Sequence, residues 1–153
     1  MLVFWNPIRD HKMSISFTHR DGEYDAMQLH SVERPGNLRI ILEDNHFSYL
    51  YEYEESQLFP SDEVYTVVRT PEHMRTGLME GYFEILEEEG ITDKFWPFFK
   101  VKHSSLLTWT RNAVDIHMPK EKKPNHHVYI TVDEVIEVIA DRDPKVTIQK
   151  IDK

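Results

Sequence analysis

The sequence contains no cysteine. Disulfides and all cysteine-ligated zinc or iron–sulfur sites are thereby excluded, and the reducing cytoplasm is the expected compartment. Glycine is sparse, with five residues in 153, and none opens a GxxxxGK phosphate loop. There is no GxSxG elbow and no HExxH pair. No run approaches the roughly 20 apolar residues that span a bilayer. The start, MLVFWNPIRDHK, places apolar residues before basic ones, which is not the order of a secretory signal. Positive charge is scarce in the middle of the chain. Between Glu43 and Asp93 stand fourteen Asp or Glu but only two basic residues, Arg69 and Arg75. That segment carries about −12 and the remainder about +3, giving the formal net charge of −9.

Such a field repels phosphates, so nucleic acid is not an expected partner. The acidic segment contains HFSYLYEYEE, in which Phe47, Tyr49, Tyr51 and Tyr53 fall on alternate residues. A strand would set all four rings on one face. Aromatics beside fixed negative charge suit a basic protein partner. The expected contact residues are Tyr49, Tyr51, Glu52, Tyr53, Glu54, Glu55, Asp62 and Glu63, with Phe47 buried and at least one tyrosine exposed.

The length of 153 residues suits one domain covering residues 1–153. The first half reads as antiparallel strands. Met13–His19 and Tyr24–Val32 flank an Asp-Gly turn, and Leu38–Leu42 follows the Pro35-Gly36 turn. His46–Glu54 and the β-branched Val64–Arg69 complete this half. Thr70-Pro71-Glu72 then reads as a helix start. Met74, Leu78, Tyr82 and Ile85 recur at helical spacing towards Gly90, and Met79, Phe83 and Leu86 widen the stripe. Phe95–Phe99 is broken by Pro97 and reads as a loop or short helix in the core.

Leu106, Trp109, Ala113 and Ile116 predict a second helix over Ser104–His117. Thr131 and Glu134 have capping-box spacing, so Val135, Ile136, Ile139 and Ala140 predict a third. Val146 and Ile148 suggest an edge strand. The expected fold is α+β: a mostly antiparallel sheet of five or six strands with two or three helices packed on it.

Nine histidines make a metal site worth testing. His126 and His127 are adjacent, and a strand would point them to opposite faces. His103, His117 and this pair, with Asp115, have no spacing that enforces a metal geometry. No metal, cofactor or catalytic residue is expected. The paired acids Glu52/Glu54 and Glu84/Glu88 read as solvated surface, because acid–base work needs a carboxyl held in a pocket.

In size, charge and aromatic content the chain resembles small acidic antitoxin or immunity proteins, though no motif carries the resemblance. It implies a non-enzymatic inhibitor masking a basic partner such as a nuclease toxin. The alternatives are a small His/Asp/Glu-dependent hydrolase, with or without a metal, and a structural or scaffold subunit that forms a homo-oligomer.

Overall fold

In chain order the computed structural model has β1 (Leu2–Phe4), β2 (Gln28–Glu33), β3 (Leu38–Glu43), β4 (Phe47–Tyr53), β5 (Val64–Pro71), α1 (Thr76–Glu88), β6 (Phe98–Val101), α2 (Ser105–Ala113), β7 (Asn125–Ile130), β8 (Glu134–Ala140) and β9 (Lys145–Lys150). It describes residues 2–5, 28–33, 37–44, 46–54, 64–71, 74–88, 98–113, 123–132 and 134–151. The fold is α+β, as expected, but the strands form two antiparallel sheets. One has the order β1-β6-β7-β8-β5 and the other β2-β3-β4-β9.

Two faces of the five-stranded sheet are covered. On one side Phe98, Tyr129, Ile136, Val138 and Ala140 meet Leu38, Ile40, Leu42, Tyr49, Tyr51 and Tyr53 of the other sheet. On the opposite side Phe99, Val128, Ile130 and Val135 pack with Met79 and Tyr82 of α1. The layers therefore run sheet, sheet, helix. The four-stranded sheet covers one face only, so β3 and β4 alternate buried and more accessible residues.

The expected strands at Leu38–Leu42, His46–Glu54 and Val64–Arg69 are present as β3, β4 and β5. The first helix begins at Thr76 rather than Thr70. Thr70 and Pro71 continue β5, paired with Val135 and Glu134; proline is tolerated there because it ends the strand. The third predicted helix is corrected to strand β8. Its capping-box pair instead closes a hairpin, where Thr131 N–H donates to the Glu134 carbonyl at 2.9 Å and Glu134 N–H donates to Thr131 Oγ1 at 3.1 Å.

Phe98 and Phe99 are not loop residues but the start of β6. Met74 and Phe83, expected in the core stripe, are exposed. The predicted strand Met13–His19, the Asp-Gly turn, Phe95–Pro97 and residues 114–117 of the second helix lie outside the described residues. Among the described residues no helix is long and apolar enough to cross a membrane.

Candidate functional site

Alternate residues of β4 point into the sandwich, and Tyr49, Tyr51 and Tyr53 are 0%, 0% and 2% exposed. The expectation that at least one of them is exposed is therefore corrected. β4 is an inner strand between β3 and β9, and its aromatic face closes against the larger sheet. The Tyr49 and Tyr53 hydroxyls find partners inside, while the buried Tyr51 hydroxyl has none among the described residues. Tyr49 Oη donates to Asp44 Oδ2 at 2.7 Å. The Tyr53 hydroxyl lies 2.8 Å from His127 Nδ1 and 2.5 Å from Tyr129 Oη. Burial pushes the Tyr51, Tyr53 and Tyr129 phenols well above their usual range, so they stay neutral. Phe47, at the strand's start, is half-buried.

Glu52 and Glu54 behave differently from the tyrosines. Glu52 lies on the outer face between basic neighbours. Arg39 Nε donates to its Oε2 at 2.7 Å, and Lys145 is its partner across β9. The Arg39 hydrogen bond holds the Glu52 carboxyl below the usual carboxylate range. Glu54 is exposed, while Glu55, Asp62 and Glu63 lie outside the described residues.

Unneutralised acid gathers instead on α1. Leu78, Met79, Tyr82, Ile85 and Leu86 turn towards the sheet. At about 100° per residue, Glu80, Glu84, Glu87 and Glu88 occupy the other side, and all four are exposed. Phe83 sits at the border of the two sides, 60% exposed, with its ring against Tyr82 at a 5.2 Å centroid separation. The last turn carries no basic residue. Among the described residues none of the four glutamates is in an ion pair.

A second feature lies between the helices and the larger sheet. His126 on β7 and Glu137 on β8 are diagonal neighbours across the hairpin, since His126 pairs with Ile139 and Val128 with Glu137. His126 Nε2 stands 3.0 Å from Glu137 Oε1, and Arg75 Nη2 donates to that same oxygen at 2.9 Å. His126 Nδ1 stands 2.6 Å from Ser104 Oγ. Ser104 caps α2, its Oγ accepting the Leu107 N–H at 2.9 Å. The preceding His103 takes a left-handed backbone with φ 56°.

Ser104, His126 and Glu137 are 8%, 4% and 3% exposed. Burial acts to raise the Glu137 carboxyl, but the His126 hydrogen bond and the Arg75 guanidinium outweigh it and hold the group below the usual carboxylate range. These residues line a cleft of about 490 Å³ whose walls include Leu78, Val101, Leu106 and Trp109.

His127 points the other way, into the sandwich, where Trp5 stacks on it at 4.2 Å. Its Nε2 approaches Asp143 Oδ1 to 3.2 Å, off the direction of a hydrogen bond. The two histidines thus occupy opposite faces, and His117 and Asp115 lie outside the described residues. Among the described residues no three His, Asp or Glu side chains are placed to hold a metal ion.

The linked Ser104, His126 and Glu137 escaped sequence reasoning because Val135–Ala140 reads as a helix. Recognition of the Thr131–Glu134 turn would have brought the last two together. No family model, curated protein or solved structure matches this chain.

Proposed function

We propose that this protein binds a basic protein partner, in the manner of an inhibitor or immunity protein, and that α1 is the docking element. The observation that carries this reading is Phe83, a large apolar ring left 60% exposed beside four exposed glutamates. Exposed phenylalanine loses hydration free energy that burial against a partner would recover. The surrounding carboxylates would steer a cationic surface towards it and exclude acidic competitors. The helix bears an internal cost for this arrangement. Glu80, Glu84 and Glu88 repel at successive i, i+4 spacings, and Glu87 and Glu88 sit at the negative end of the helix dipole. A lysine- or arginine-rich partner relieves both terms on binding.

This proposal moves the contact surface from β4 to α1 and leaves Glu52 and Glu54 outside it. The test is capture from lysate of the cell of origin, followed by association kinetics with the purified partner. The expected result is one stoichiometric basic protein. Its capture should fail with Phe83→Ala or Glu84→Lys, and its association rate should fall steeply between low and high salt. An acidic partner, a salt-independent association rate, or capture indifferent to both substitutions would sink the reading.

A further inference from the structure

We infer that the cleft beside α2 is a catalytic site for the hydrolysis of apolar carboxylic esters, with Ser104 as nucleophile, His126 as base and Glu137 as the carboxylate that orients the base. The inference concerns a different surface from the proposed docking helix face and stands independently of it.

The geometry is a continuous relay. Ser104 Oγ stands 2.6 Å from His126 Nδ1, and His126 Nε2 stands 3.0 Å from Glu137 Oε1. Only one tautomer of neutral His126 makes both bonds with an ionised Glu137, and it leaves Nδ1 free to take a proton. Arg75 Nη2, 2.9 Å from the same Glu137 oxygen, keeps that carboxylate charged and fixed. Nucleophile, base and orienting group thus stand in the order that activates a hydroxyl.

The cleft supplies the other requirements. Ser105 and Leu106 line it and are the first two residues of α2. Backbone N–H groups at a helix start have no intrahelical acceptor. The Leu107 N–H is taken by Ser104 Oγ and the Thr108 N–H by the Ser104 carbonyl. The two preceding N–H groups are the donors for a developing oxyanion. Val68, Leu78, Val101, Leu106 and Trp109 give the cleft apolar walls. Trp109 is 61% exposed and offers its ring as a further apolar contact at the cleft. The substrate class is therefore an ester with a short or medium apolar acyl chain.

In the first step the Ser104 Oγ lone pair forms a bond to the ester carbonyl carbon, and the Oγ proton passes to His126 Nδ1. The carbonyl π electrons move to oxygen and then return. The bond to the alkoxide breaks, and His126 gives its proton to that leaving group, releasing the alcohol. A water oxygen then bonds to the acyl carbon of the Ser104 ester, giving a proton to His126, and the acyl carbon–Oγ bond breaks. Collapse returns the proton to Ser104 and releases the carboxylic acid. The balance is ester plus water to acid plus alcohol, with no further reactant.

The experiment uses the full chain with p-nitrophenyl butyrate as substrate and a fluorophosphonate as covalent probe. Wild-type protein should release nitrophenolate and take up one phosphonyl group, mapped to Ser104 by mass spectrometry. Ser104→Asn retains a side chain that caps α2, so it should melt near the wild-type temperature yet lose the adduct and at least 100-fold of the rate. His126→Gln should lower kcat more than it changes KM. No adduct on Ser104, or a rate unchanged in Ser104→Asn, would overturn the inference and reduce the relay to an anchor of α2 on the sheet.

Discussion

His127 illustrates what one residue carries when every side of it is occupied. It is fully buried between Trp5, Tyr53 and the Asp143 carboxylate. Burial holds the imidazole below its usual value of 6.5, although nearby Asp143 pulls the other way. As pH falls below about 6.5, the unfolded chain therefore binds a proton before the folded chain does, and stability declines. Asp143 has the opposite partners. The approach of His127, together with the Lys100 ammonium at 3.3 Å, holds its carboxyl down at about 2. Its contribution is present above the unfolded value of 3.8 and is lost as pH falls towards 2. The expected outcome is a melting temperature that drops in two stages, one just below pH 6.5 and one below pH 4. His127→Gln should flatten the first stage and Asp143→Asn the second. A first stage that survives His127→Gln would assign it to another group.

At the scale of elements, α1 stands against its own electrostatics. Glu88→Lys places a cation at the helix C-terminus and removes one i, i+4 repulsion. It should raise stability in urea unfolding by about 0.3–1 kcal/mol while slowing association with a basic partner. An unchanged or lower midpoint would mean that the carboxylate is already compensated by its surroundings. Elements with one solvated face were readable from sequence, because period two survives in Leu38–Leu42 and His46–Glu54. β8 was not, since Val135 and Ile136, like Val138 and Ile139, are buried on opposite sides of one sheet. A strand covered twice shows no alternation. The aromatic alternation in β4 was read correctly as one face, but it does not say which way that face points. A row of tyrosines reads as a contact surface until a second sheet with its own His127 and Tyr129 is known to answer it. Likewise the relay at Ser104 needed three elements to be placed in space before any of its members stood out.

For the whole molecule the larger sheet is the middle layer, and its inner strand β8 supports both neighbouring layers. Ile136→Ala removes buried apolar volume where the two sheets meet, and should cost about 2–5 kcal/mol in equilibrium unfolding. A cost under about 0.5 kcal/mol would mean that the sheets pack too loosely to share a core. The back-to-back histidines of β7 bear on how the chain avoids a wrong assembly. If β7 were to slide by one residue against its neighbours, His126 would enter the aromatic sandwich and His127 would emerge beneath α2. Slipping one way would set Asn125 in place of His126 before Ser104 and Glu137, and slipping the other way would set Val128 in place of His127 before Tyr53 and Trp5. The two imidazoles resemble each other, but the groups waiting for them do not: a hydroxyl and a carboxylate on one side, a phenol and an indole on the other. Adjacent identical residues thus act as a key cut differently on its two edges, and a misaligned strand that buries just as much apolar surface still leaves one of the two polar networks without its imidazole.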